Sequence, residues 1–226
     1  MSEYQRGSEW RRWDLHVHTP GTIKNDKYTG SSIEEKWNTF YTDITTYIGD
    51  GTDIARNVVA LGITDYLSVE NYKKVLIDNR LPATVKLVLP NVEMRMYPLS
   101  KQSGINIHFL FDPAIVNDLD DRFFSQMSIT YGGRTYTATK SQLIQLGRAV
   151  SSSVVDEDDA YKIGVGQFIP SFDSIKSIFD KDADLREKVI IVVSNGSNDG
   201  VTGAANHSCY FDSSSHVSDF DATRQA

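Results

Sequence analysis

Short apolar runs recur along this chain, each breaking off at polar or turn-forming residues. Val58 to Ile63 ends at Thr64-Asp65-Tyr66, Val85 to Met96 and Ile105 to Phe111 follow, and Val189 to Val193 runs into Ser194-Asn195-Gly196. Runs of this length suit buried strands and are far too short to cross a bilayer. Between them, Ile33, Trp37, Phe40, Ile44 and Ile48 recur at helical spacing behind Ser31 and Ser32. Glu34 and Glu35 stand three residues beyond these serines, a doubled capping-box signal. Ser68 is placed to cap a second helix through Val69, Tyr72 and Leu76, and further helices are expected around Gln142 to Val150 and Asp173 to Phe179. Alternating strand, loop and helix units imply α/β architecture.

The first strand is expected where Trp10, Trp13, Leu15 and Val17 alternate with polar residues. Gly132-Gly133 within Ser128 to Thr137 predicts a hairpin, read as a projecting insertion. A loop is expected around Pro98 and Gly104, and a solvated acidic loop over Ser151 to Asp159. Val189 to Val193 reads as the clearest buried strand. Residues 1–203 are expected to form one domain, with 204–226 as a polar, serine-rich tail that holds His207 and His216.

Composition narrows the function classes. With 40% hydrophobic residues over 226 positions the chain can bury a core. A formal charge of -7 argues against a broad basic surface for nucleic acid, although a local site for phosphates is compatible with it. The sole cysteine, Cys209, cannot form an intrachain disulfide, and no amino-terminal apolar stretch resembles a secretory signal. Cytoplasmic residence, without membrane insertion, is the expectation.

Chemistry concentrates in Asp14-Leu15-His16-Val17-His18-Thr19. Alternate side chains of a strand share a face, so His16 and His18 point the same way, and imidazole suits zinc, manganese or iron. Asp65, Glu93 and His108 are expected at or near the ends of buried strands, where a polar side chain is costly unless hydrogen-bonded or metal-bound. For each there is also a plainer role: a core histidine for His108, an ion pair between Glu93 and Arg95, and a helix cap for Asp65. Tyr66 is expected to pack or hydrogen-bond.

These residues resemble the PHP (polymerase and histidinol phosphatase) domains. The resemblance rests on Asp14 to Thr19, on Gly62-Ile63-Thr64-Asp65 before a helix, on Asn91-Val92-Glu93-Met94-Arg95, and on His108 in an apolar strand. Gly7-Ser8-Glu9-Trp10-Arg11-Arg12-Trp13 and the segment Ser194 to Gly200 are similar to the amino-terminal region of TrlF-type proteins, in which a PHP domain precedes an AAA-like or SMC-like ATPase region. The resemblance implies a distorted (β/α)7 TIM-like barrel, here incomplete at its carboxyl end, with two or three divalent metal ions. It implies His16, His18, Glu93 and His108 as metal ligands, with Glu93 bridging, and Arg95 and Asp65 as catalytic positions. The implied reaction is hydrolysis of phosphomonoesters or nucleic-acid phosphodiesters, with an ATPase region or protein partner nearby.

The chain departs from the family pattern in places. Most PHP domains have Thr-Asp-His where this one has Thr64-Asp65-Tyr66, so a phenol replaces an imidazole. The histidine usually found several residues after His-x-His is absent, and so is the closing Gly-Ser-Asp-Ala-His type segment, for which Asp199 is the acidic substitute. The chain is therefore expected to be a fragment or truncated product. The alternative function is a degenerate PHP domain that serves as a docking or regulatory module.

Overall fold

The computed structural model describes residues 11–23, 26–49, 52, 57–100 and 103–193. The elements run β1 (Arg12–His18), α1 (Ile33–Ile48), β2 (Val58–Tyr66), α2 (Glu70–Asp78), β3 (Leu87–Ser100) and β4 (Ser103–Phe111). Two short helical turns lead to a hairpin of β5 (Ser128–Tyr131) and β6 (Arg134–Thr137). Then come α3 (Lys140–Val150), α4 (Glu157–Gln167), α5 (Phe172–Lys181), α6 (Ala183–Glu187) and β7 (Val189–Val193).

The fold is α/β. One sheet has five strands in the order β1-β2-β3-β4-β7, with β1, β2 and β3 parallel and β4 antiparallel to both β3 and β7. Helices α1 and α2 carry the chain between the parallel strands, as a parallel pairing requires. Among the described residues the sheet is open, with β1 and β7 at its edges, rather than a closed barrel. The reason is local: β3 and β4 pair directly out to Ser100 and Ser103, so no crossover helix separates them and β4 reverses. The loop expected around Pro98 and Gly104 is thus strand, with a register shift between Met96 and Leu99 next to Pro98, which has no N–H to donate.

Register assigns the two faces. Leu61 lies beside Val88, Val92 beside Phe109, Met94 beside Ile107, and Phe109 beside Ile191. This face carries both hydrophobic clusters: Trp37, Phe40, Ile44, Leu61, Ile63 and Tyr72 in one, and Val92, Met94, Ile107, Phe109, Phe123, Leu143, Ile175 and Phe179 in the other. Burying a large apolar side chain contributes on the order of 1.5–3 kcal/mol, so this face drives folding. The opposite face of β3 and β4 holds Asn91, Glu93, Arg95, Asn106 and His108, all but Arg95 nearly sealed from solvent.

Local chemistry explains the element ends. Of the two overlapping capping boxes before α1, the Ser32 frame forms: its Oγ accepts the Glu35 N–H at 3.2 Å. The Glu35 carboxylate turns back to Ser31, taking its N–H and its hydroxyl at 2.7 Å each. Ser68 Oγ accepts the N–H of Glu70 at the start of α2.

Further expectations are corrected. The acidic stretch ending at Asp159 is not all loop: Asp156 caps α4 by accepting the Asp159 N–H, and Glu157, Asp158 and Asp159 form its first turn, where negative charge complements the helix dipole. The hairpin β5–β6 exposes its Gly132-Gly133 tip but anchors Tyr136 in the core, so it is not simply a projection. Among the described residues β7 is an edge strand: Val189 is buried, while Ile190 and Val192 are 61% and 42% exposed. They fall on the polar face, Val192 beside His108.

Candidate metal centre

The site begins with an irregularity in β1. Asp14 pairs with Leu61 and Val17 with Ile63, so one strand spends an extra residue and the ladder bulges at Leu15 and His16. The Leu15 carbonyl there approaches Gly62 so closely that a Cβ on that glycine would stand 2.3 Å from the oxygen. Only glycine fits, which gives the Gly62-Ile63-Thr64-Asp65 segment a physical meaning.

Past the bulge, His16 and His18 bring their Nε2 atoms to 3.0 Å of each other. Each Nε2 lies 3.6 Å from Glu93 Oε2. His108 stands opposite Glu93 in the β3–β4 register, and its ring centroid is 4.6 Å from that of His16. One ligand atom from each of His16, Glu93 and His108 falls within a 4.8 Å span. Four of the positions expected to be ligands thus converge on one place.

The Glu93 carboxylate is pinned from its other side. Oε1 accepts a hydrogen bond from the Tyr66 hydroxyl and another, at 2.8 Å, from Asn106 Nδ2. Oε2 is thereby turned toward the imidazoles. Burial works to raise the Glu93 pKa, but His16, Tyr66, His108 and Asn106 outweigh it and hold the group ionised, down at about 2. For His18 burial dominates and lowers the pKa against the pull of Glu93, favouring the neutral imidazole that binds metals. The Tyr66 ring also stacks on His18, with planes 7° apart, so Tyr66 packs and hydrogen-bonds as expected.

This donor set fits a divalent transition metal. Ligands about 2.1 Å from a tetrahedral ion stand about 3.4 Å from one another, and the contacts of 3.0 and 3.6 Å bracket that edge. Three imidazoles and one carboxylate suit zinc, manganese or iron.

The remaining expected site residues are placed differently. Asp65 is buried at the end of β2 and accepts both the backbone N–H and the Nδ2–H of Asn71. It therefore braces the start of α2, its plainer role. Burial pushes its pKa up to about 7 against the hydrogen bonds from Asn71. Arg95 donates to the Gly104 carbonyl at 3.0 Å, two positions along β3 from Glu93. Asp199, His207 and His216 lie outside the described residues. Glu93 and His108 sit in mid-strand, not at strand ends, because the β3–β4 hairpin runs on past them.

One hollow opens beside the two β1 histidines and a second, which touches none of the four cluster residues, lies beyond Tyr66. The first, of 500 Å³, is lined by His16, His18, Asp14, Val17, Lys27 and Tyr28. The other, of 590 Å³, is shared between the β1–α1 loop, the β2–α2 junction and helices α3 and α4, and includes Thr22, Asp65, Tyr66, Lys140, Tyr161 and Lys162. Sequence reasoning missed this cleft, because Lys140 and Lys162 come to line one hollow only through the packing of α3 on α4. It also gave no role to Asn91 and Asn106. Their signal was the alternation of polar residues within apolar strands, at 91, 93 and 95 and at 106 and 108.

The fold and site define an α/β protein with a His/Glu cluster on the polar face of its sheet, in which Glu93 and His108 are buried and His16 is exposed. No family model, curated protein or solved structure matches the chain. Among the described residues, no helix is long and apolar enough to cross a membrane.

Proposed function

We propose that this chain is a PHP-type metal-dependent phosphoesterase, hydrolysing phosphomonoesters or nucleic-acid phosphodiesters. The observation that carries the reading is the convergence of His16, His18, Glu93 and His108 from β1, β3 and β4: both histidine Nε2 atoms of β1 and Glu93 Oε2 stand 3.0 to 3.6 Å apart, the spacing of a metal's ligands, and a His108 nitrogen falls within a 4.8 Å span of His16 and Glu93. A divalent cation held there supplies Lewis acidity toward a phosphate oxygen and acidifies a water.

The chain's own residues do the rest. Tyr66 and Asn106 fix the Glu93 carboxylate, and burial keeps Glu93 and His108 at low dielectric, where charge interactions are strong. Arg95 is the phosphate-binding cation on the same strand face, once it exchanges the Gly104 carbonyl for substrate. The cleft next to Tyr66 receives the leaving group, with Lys140 and Lys162 facing its negative charge. On this reading the open sheet belongs to a (β/α)7 barrel, and closure covers the exposed Ile190 and Val192 on the face that carries the site. The TrlF-like segments make an ATPase region the natural partner.

The test is hydrolysis of p-nitrophenyl phosphate, its bis ester and single-stranded DNA and RNA, with added manganese. Turnover that His16→Ala abolishes supports the proposal. No turnover with any of them, in folded protein that has bound its metal, favours the degenerate docking module instead.

A further inference from the structure

We infer that Asn91 is a positioning residue that fixes the His108 tautomer and ties it to the β1 bulge, so that the histidines from opposite sides of β2 and β3 meet in one geometry. Asn91 is buried on β3, one alternation before Glu93. Its Nδ2 lies 2.7 Å from the Leu15 carbonyl oxygen and 3.0 Å from Thr64 Oγ1. Its Oδ1 lies 3.2 Å from His108 Nδ1.

The assignment follows by elimination. A backbone carbonyl only accepts, so the amide atom facing Leu15 must be the NH2 group. The other atom is then the oxygen, which also only accepts. His108 Nδ1 must therefore carry the proton, leaving Nε2 with its lone pair. Because Nδ1 is engaged, Nε2 is the nitrogen left for a metal. This is the arrangement in which an outer hydrogen-bond acceptor orients a metal-binding imidazole. The tie to Leu15 passes over Gly62, whose missing side chain leaves the path across β2 open. One amide thus coordinates β1, β2 and β4 and offsets the carbonyl that the bulge removes from the ladder.

The tautomer claim stands on hydrogen bonding alone; its consequence for affinity rests on the metal reading above. Long-range 1H–15N correlation spectra of the metal-free full chain, at mildly alkaline pH, read the tautomer directly. In the wild type His108 is expected as Nδ1–H. Asn91→Leu is expected to shift it toward Nε2–H and to weaken manganese or zinc binding about 10–100-fold. Asn91→Asp keeps an acceptor for Nδ1 and is expected to retain the Nδ1–H signature. Wild-type His108 found as Nε2–H overturns the inference even if no variant folds, as does an unchanged tautomer in folded Asn91→Leu. Nδ1–H in a wild type that binds no metal upholds the inference and sinks the metal reading, whereas Nε2–H in one that binds metal does the reverse.

Discussion

Asp65 makes the stability of the metal-free protein depend on pH in a direction opposite to most carboxylates. Burial raises its pKa from an ordinary 3.8 to about 7. Between those values the unfolded chain has released the proton and the folded chain still holds it, so stability falls as pH rises. The contribution is full below about pH 4, is lost on the way to about pH 7, and is flat beyond. A gap of about 3 pH units at ~1.4 kcal/mol each amounts to about 4 kcal/mol. Glu93, held low, acts with the opposite sign, but only at pH values below the ordinary carboxylate range. His18, lowered by burial, also opposes Asp65 as pH falls below 6.5. The clean quantity is therefore the difference between wild type and Asp65→Asn. Asparagine keeps an acceptor for the Asn71 N–H, and Asn71 can flip its amide to meet the new NH2 group. Urea unfolding in chelator, at steps from pH 4 to pH 8, should show the wild-type advantage shrinking by about 4 kcal/mol up to pH 7 and then levelling. A difference that stays constant across that range refutes the burial argument.

Other residues make sharper structural demands. Gly62→Ala puts a methyl group 2.3 Å from the Leu15 carbonyl, so it should cost about 3 kcal/mol in urea unfolding and disturb the His16 resonances, since the bulge must move. Tyr66→Phe removes a donor from Glu93; it should cost about 1–3 kcal/mol of stability and weaken metal binding about tenfold by titration calorimetry. Replacing Lys140 and Lys162 together by alanine should raise KM for an anionic substrate while leaving metal stoichiometry unchanged, because they line the cleft and not the cluster.

Features with a strong local period were legible in the sequence. The stripe from Ile33 to Ile48 and its capping serines defined α1, Gly132-Gly133 defined the hairpin, and His-x-His on a strand led to the cluster. What escaped was decided by partners distant in sequence. Helix α4 begins with acids that read equally as solvated loop, and its Gly164 packs so tightly on α3 that a Cβ would lie 1.8 Å from the Leu143 carbonyl. That glycine is a helix-packing contact. An apolar run cannot tell an edge from a centre, so Ile190 and Val192 read as buried although their outer face is open. The reversal at β4 was hidden because Pro98 and Gly104 suggested a loop, whereas the register shift absorbs the proline within the pairing. Asn91 carried no role because its significance lies in reaching Leu15, across an intervening strand.

Metal binding by His16, His18, Glu93 and His108 is the property from which the proposed chemistry follows. Equilibrium dialysis of the wild type and of the His16→Ala/His18→Ala double variant against manganese or zinc, followed by elemental analysis, measures that directly. The arrangement predicts at least one tightly held ion per wild-type chain and its loss in a double variant that remains folded. An identical metal content in the two proteins, or none in the wild type, would contradict it.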